Sequence, residues 1–278
     1  MEKSRWKAVV HSQIGAKHSI CQDKSLAKKL DGGAAYVIAI ADGHGSEACP
    51  FSDIGAGIAV EVANEILEAF HRGIKKTRGG NSPIKRIAAE NLPRDIVRRW
   101  RERIRDEWQS RNPTATGEMS DLGYLKYGTT LICALITECH LFLLQLGDGD
   151  ILLITERGDI EAPMPKDDRM LGNETWSLCS EGAQTQFRFR YLRMDEAGQN
   201  LALVLMSTDG YANSFATEDG FHQAGLDYLH LIKSVSQAVL RKKMPVWLAE
   251  TSRGGSGDDL SLALLYRKAI AESREKNT

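Results

Sequence analysis

YVIAIA at residues 36–41 stops at Asp42-Gly43-His44-Gly45, LFLLQL at 141–146 stops at Gly147-Asp148-Gly149, and LALVLM at 201–206 stops at Ser207-Thr208-Asp209-Gly210. Each is an apolar run of strand length closed by turn residues, the pattern of a buried β-strand. A fourth acidic turn, Gly257-Asp258-Asp259, comes just before another such run, LSLALLY at 260–266. One carboxylate at the mouth of one strand is ordinary. Four acidic turns on four buried strands point to convergence at one place, where uncompensated carboxylates repel and are costly to desolvate. A cation belongs among them, and oxygen-only donors select a hard divalent ion, Mg²⁺ or Mn²⁺.

Outward from these runs, RWKAVVHSQI (5–14) reads as a first strand and 15–25 as a loop. Asp31-Gly32-Gly33 suits a hairpin turn into the 36–41 strand. From Asp53 the period becomes helical, with Ile54, Ile58, Val62, Ile66, Leu67 and Phe70 at three- and four-residue steps and Ser52 as N-cap. Residues 71–92 read as irregular, broken by Gly73, Gly79-Gly80 and Ser82-Pro83, and a second helix is expected over 93–110 with Pro93 near its start. Residues 111–127 read as a loop, LICALI (131–136) and ILLI (151–154) as further strands, and 159–186 as a long surface excursion. Late helices are expected at about 222–241 and 245–252, before the closing strand and a polar tail over 267–278. Strands arrive in neighbouring pairs and helices in pairs between them, which fits antiparallel sheets covered by helix pairs better than strict βαβ alternation.

The 278 residues carry a formal net charge of −1, so nothing draws the whole chain to nucleic acid or an anionic membrane. No apolar run is long enough to span a bilayer, and the first residues have no signal-peptide core, so a cytoplasmic protein is expected. No linker or low-complexity tract divides the chain, and one domain over 1–278 is expected. Five cysteines without a CxxC pair read neither as a disulfide framework nor as a zinc site. Cys133 reads as core, whereas Cys21, beside Gln22-Asp23, is a conceivable reactive thiol. Residues 71–112 hold thirteen Lys/Arg against five Asp/Glu, a net of +8. A solvated basic helix face is the first reading of that run, and docking of an acidic or phosphorylated partner the second.

Taken in order, Gln22-Asp23, Asp42-Gly43-His44-Gly45, Gly128-Thr129-Thr130, Leu146-Gly147-Asp148, Ser207-Thr208-Asp209-Gly210 and Gly257-Asp258-Asp259-x-Ser261 form a specific set. Over roughly residues 8–266 this set resembles the metal-dependent protein phosphatases, the type 2C serine/threonine phosphatases, in their bacterial form. The resemblance implies an α+β fold, a four-layer αββα sandwich of two antiparallel sheets flanked by helix pairs. It implies hydrolysis of phosphoserine or phosphothreonine by a water activated between two Mn²⁺ or Mg²⁺ ions. By position, Asp42 would bridge both metals and the Gly43 carbonyl would bind one of them. Asp209 and Asp258 would complete the coordination of the second metal, and Asp23 would hold a metal or its water. Asp148 would share a third, looser ion with Asp209. His44 matches the histidine that protonates the leaving alkoxide. The excursion at 159–186 matches the family's variable flap. A phosphorylated protein substrate, a cognate Ser/Thr kinase and a monomeric state go with this reading.

Each residue also has a plainer reading. Asp42 and Asp209, taken alone, are strand-end turns; Asp148 is a hairpin cap; His44 is a hydrogen-bonded neighbour of the site; Asp259 is a supporting or turn residue. Asp53 and Asp150 read as surface or capping groups. One departure from the family stands at His18, where many members place an Arg that grips the substrate phosphate. A histidine lacks the guanidinium fork and is only partly charged near neutral pH. His18 is therefore either the phosphate ligand or a loop residue, and Lys17 stands beside it. Two other functions stay open: a phosphatase-shaped binding or regulatory module with little turnover, and a phosphatase of small phosphomonoesters.

Overall fold

Every residue of Ala35–Ala41 is buried, because this strand is covered on both faces. The computed structural model describes residues 6–76, 81–114, 119–164, 175–195 and 200–267. Among these residues ten strands form two antiparallel sheets. The first has the order β1 (Trp6–Gln13), β10 (Leu260–Arg267), β9 (Leu201–Ser207), β6 (Asp150–Thr155), β7 (Ile160–Glu161). The second has the order β2 (Lys24–Leu30), β3 (Ala35–Ala41), β4 (Leu131–Ile136), β5 (His140–Leu146), β8 (Arg188–Arg193). Helices α1 (Ser52–Lys76) and α2 (Asn81–Arg111) cover the second sheet, and α5 (Glu218–Ser234) and α6 (Gln237–Gly254) cover the first. Two short helices, α3 (Asp121–Leu125) and α4 (Asp209–Ala212), complete the set.

The alternation of side chains along each central strand divides the core into three layers. Val37, Ala39 and Ala41 pack under α1 and α2, while Tyr36, Ile38 and Ile40 face the other sheet. Leu203 and Leu205 meet α5 and α6, while Val204 and Met206 face inward. Strands buried on both faces are why the apolar runs are continuous rather than alternating. The αββα architecture expected from the sequence is the one observed.

Several boundaries differ from expectation. Helix α2 starts at Asn81, with Pro83 in its first turn and Pro93 in its interior. A first-turn proline has no N–H to waste. An interior proline costs about 3 kcal/mol, but Ile84, Leu92, Ile96, Trp100 and Ile104 are all buried along this helix. Each such burial contributes roughly 1.5–3 kcal/mol, so packing carries the helix through. The α5–α6 break falls at Val235–Ser236 rather than before Pro245, because Val235 is extended and the Ser236 hydroxyl accepts from Val239 N–H. Pro245 then lies inside α6 beside the buried Met244 and Leu248. The expected loop at 111–127 contains α3, and the irregular 71–92 segment is helical at both its described ends. Strand β8 was not expected at all. Pro165, Asp167, Asp168 and Arg169 of the excursion, Gly79-Gly80, and the tail beyond 267 lie outside the described residues.

The basic face of α2 is largely matched by acids. Arg98 pairs with Asp95 and Glu102, Arg99 with Glu65 and Glu102, Arg103 with Glu61, and Arg111 with Glu107. That is the solvated face of the first reading. No helix among the described residues is long and apolar enough to cross a membrane.

Candidate metal centre

The strand ends carrying the acidic turns gather at one end of the sandwich. Asp42 follows β3, Asp148 lies in the β5–β6 turn, Asp209 opens α4 after β9, and Asp258 precedes β10. With Asp259 they line a cleft of about 560 Å³ whose other walls include Lys17, His18, Ile20, Gln22, Gly43, His44, Thr130 and Thr175. Asp23 sits behind this cleft, 1% exposed.

The backbone around Asp42 is fixed by β4. Its carbonyl accepts from Thr130 N–H and from Thr129 Oγ1, both at 2.8 Å, and its N–H donates to Thr130 Oγ1 at 3.1 Å. Gly43 then pairs opposite Thr129, flanked by bonds from Thr130 N–H to Asp42 O and from His44 N–H to Gly128 O. In such a pair Gly43's own carbonyl points away from the ladder and is left for another partner. A Cβ on Gly43 would lie 2.7 Å from Ser52 O, so only glycine lets the N-terminus of α1 approach this turn. The turn is closed from the other side by Ser52 Oγ, which accepts from Gly45 N–H at 3.2 Å.

Asp23 is held by hydroxyls of Thr208 and Ser261, both part of the sequence motifs but with no role legible there. Thr208 Oγ1 donates to Asp23 Oδ2 at 2.7 Å and accepts from Ser261 N–H at 2.8 Å, and the Ser261 hydroxyl also reaches Asp23. The other carboxylate oxygen, Asp23 Oδ1, is buried with no hydrogen-bond partner. Burial, with Asp259 and Asp209 nearby, pushes the Asp23 carboxyl up to about 7. Burial likewise lifts Asp42 well above the usual carboxylate range, reinforced by Asp23 and Asp209, and the Asp42 and Asp209 side chains hydrogen-bond each other. Asp209 also accepts from Asn213 Nδ2 at 3.1 Å.

Asp259 ties the loop before β2 to the strand end. Its Oδ1 accepts from Gly15 N–H at 2.6 Å and its Oδ2 from Gln22 N–H at 2.7 Å. It is therefore a supporting residue, as expected. His18 stands between the two adjacent acids, with Nδ1 3.1 Å from Asp259 Oδ1 and Nε2 3.6 Å from Asp258 Oδ1. His44 lies on the cleft wall, where burial lowers its pKa and Asp148 pulls the other way. Asp150, expected as a surface or capping group, opens β6 half-buried, and burial first and Asp209 next push its carboxyl up to about 6. The signal for it was the second Asp of Gly147-Asp148-Gly149-Asp150. Cys21 is no reactive thiol here: burial, then Asp259 and Asp23, push its thiol up to about 12, away from the thiolate that reactivity needs. Cys133 is fully buried, as expected.

Among the described residues no three His, Cys, Asp or Glu side chains are drawn into a shell that holds an ion as they stand. The donor chemistry nevertheless fits a hard divalent cation. Every donor is oxygen, the Gly43 carbonyl stands outside the ladder, and Asp23 Oδ1 is buried without a partner. Carboxylates crowded until their pKa values rise are those a cation would stabilise most.

The sequence matches the family model described as protein phosphatase 2C over residues 13–249. No curated protein matches the chain by sequence. Among solved structures, the chain is similar to the serine/threonine phosphatase Stp1 from Staphylococcus aureus, with a TM-score of 0.63, 14% identity, and 97% of this chain and 98% of that one covered. It is also similar to the Mycobacterium tuberculosis serine/threonine phosphatase PstP/Ppp, with a TM-score of 0.54, 16% identity and coverage of 95% and 99%. A third similar structure is the catalytic domain of PstP in complex with two manganese ions, with a TM-score of 0.52, 18% identity and coverage of 94% and 97%.

Proposed function

This chain belongs to the protein phosphatase 2C family of phosphoprotein phosphatases, and we propose that it hydrolyses phosphoserine and phosphothreonine on proteins with two Mn²⁺ or Mg²⁺ ions. The observation that carries this is the buried, unpartnered Asp23 Oδ1 behind a cleft lined by five aspartates. The same reading has a single-domain, monomeric, cytoplasmic enzyme that opposes a Ser/Thr kinase.

Asp42, the Gly43 carbonyl, Asp209, Asp258 and Asp23 would hold the two ions, and Asp148 with Asp209 a third. When bound, the cations supply Lewis acidity and neutralise charge on the phosphoryl oxygens. The chain's own residues do the rest. Thr129 and Thr130 fix the Asp42 backbone, and Thr208 and Ser261 aim the Asp23 carboxylate. A group held from several sides loses little freedom on binding, so its geometry is ready before the substrate arrives. An imidazole nitrogen of His44 gives its proton to the leaving serine or threonine oxygen. A lowered pKa makes the imidazolium a readier donor, at the cost of a smaller protonated fraction near neutral pH. His18 orients Asp258 and Asp259, which it faces with both ring nitrogens.

The test is hydrolysis of p-nitrophenyl phosphate and a phosphothreonine peptide by chelator-stripped protein, with and without Mn²⁺. Turnover that needs the metal and vanishes in Asp209→Asn is the expected result. A folded protein without turnover under any divalent ion points to a binding module. Preference for free phosphorylated metabolites over the peptide points to a small-molecule phosphatase.

A further inference from the structure

The geometry points to Lys17 as the residue that takes the substrate's phosphoryl oxyanion, an inference that rests on the phosphatase reading above. Cations held by the five aspartates of the cleft would offset part of a phosphoryl dianion's charge, and a cationic side chain at the cleft mouth adds a directed, charge-assisted hydrogen bond to an oxygen they leave free. Among the described residues lining the cleft, Lys17, His18 and His44 are basic, and His44 is the one proposed above to protonate the leaving oxygen, which leaves Lys17 and His18 for the phosphoryl oxyanion. Both ring nitrogens of His18 already face carboxylates, at 3.1 Å and 3.6 Å. An imidazole has no third nitrogen, so binding an oxyanion would mean leaving one of those acids.

Lys17 is placed differently. Its Nζ donates to one neutral acceptor, Ser256 O, at 2.7 Å. An ammonium carries three donors, which leaves two for an incoming anion. Its backbone is anchored to the same turn, with Lys17 N–H donating to Gly257 O at 3.2 Å. The aliphatic stem lies across Gly257. A Cβ there would fall 2.5 Å from Lys17 Cε, 2.8 Å from Nζ and 2.9 Å from Cδ. Gly257 also has φ +76, a conformation that favours glycine. The turn that carries Asp258 therefore has a groove, made by the missing side chain of Gly257, in which the lysine stem is seated. A cradle of this kind pre-orders a long side chain, which reduces the entropy lost when it binds.

Four proteins besides wild type test the assignment: Lys17→Met, Lys17→Arg, Gly257→Ala, and Lys28→Met as a control, since Lys28 pairs with Glu68 away from the cleft. Each is measured in Mn²⁺ for KM and kcat on a phosphothreonine peptide, for peptide binding by fluorescence anisotropy, and for inhibition by inorganic phosphate. Losing a charge-assisted hydrogen bond predicts that Lys17→Met raises KM, the peptide Kd and the phosphate inhibition constant together by about tenfold, with kcat changed less than about twofold. Lys17→Arg should recover most of the loss, and Gly257→Ala should move all three constants in the same direction as Lys17→Met. Lys17→Met with unchanged peptide and phosphate affinity overturns the assignment while leaving the phosphatase reading intact. Lys17-dependent peptide binding without metal-dependent turnover keeps the assignment and sinks the phosphatase reading. A wild type that neither binds nor hydrolyses the peptide sinks both.

Discussion

The hairpin of β2 and β3 has aspartates at both of its ends, and the two ends treat them differently. At the closed end, Asp31 accepts from His71 Nε2 at 2.6 Å and pairs with Lys75 Nζ. Hydrogen bonds from Lys75 and then His71 hold its carboxyl below the usual range. At the open end, Asp23 and Asp42 are surrounded by hydroxyls and by further carboxylates, and burial lifts both. The same residue type, on the same two strands, is self-neutralised at one end and left short of positive charge at the other. One end is a structural pair; the other is the end at which the proposed cations would bind.

The largest expected effect comes from removing acids at the open end. Asp42→Asn and Asp209→Asn should each reduce metal-dependent peptide hydrolysis by about a hundredfold or more, while Asp31→Asn stays within about twofold. Wild-type rates in either open-end variant would erase the contrast. Next is a stability effect with a definite pH sign. Asp23 titrates at about 7 folded against 3.8 unfolded, so the metal-free folded state holds the extra proton between those values. That contribution is present at low pH and is lost as pH rises through about 7. Divalent cation should therefore raise Tm more at pH 8 than at pH 5, with a gain of about 2–3 kcal/mol at a hundredfold excess over Kd. Equal melting shifts at both pH values would contradict this.

Thr208→Val sharpens the contrast from within the open end. It removes the hydroxyl aimed at Asp23 and should weaken metal affinity by about tenfold, read from the Mn²⁺ dependence of the rate. Smallest is the closed end itself. Asp31→Asn removes the carboxylate from a His71 that is 4% exposed, and should cost about 1 kcal/mol in urea unfolding. Asp31 is partly exposed and its folded pKa is lowered, so this stabilisation is present above its unfolded value and lost as pH falls.

The parts legible in the sequence were those where burial on both faces erased alternation. Strands β3, β4, β5, β9 and β10 announce themselves as unbroken apolar runs, and their Asp-Gly ends located the cleft. Strand β8 did not, because RFRYLR lies at a sheet edge and its signal is only the period-two placement of Phe189 and Tyr191, both partly buried against the core layer between this sheet and its helices. A helix begun at Pro93, with Ser82-Pro83 weighed as a breaker, misses the first turns of α2, where the buried stripe from Ile84 to Ile104 outweighs both prolines. Within the site, each acidic turn could be read from its own few residues. The hydroxyls that aim Asp23 could not, since Thr208 and Ser261 come from two other strand ends more than 180 positions away, at a sequence separation of 185 for Thr208. Nor could the engagement of His18 with Asp258 and Asp259, which only the folded loop brings about.

The position of β10 has a consequence for how the protein is made. That strand lies in the middle of its sheet, pairing with β1 on one side and β9 on the other, from Trp6↔Arg267 to Gln13↔Leu260. On the ribosome, β1 emerges among the first elements and has no strand to pair with until β10 follows. The β2–β5 sheet and its helices can form while that strand waits, but Asp258 and Asp259 arrive with β10 itself. A nascent chain thus carries Asp23 and Asp42 for most of its synthesis without the residues that complete their surroundings. Closure of the sheet and the arrival of Asp258 and Asp259 are one event, and both wait until β10 has been translated.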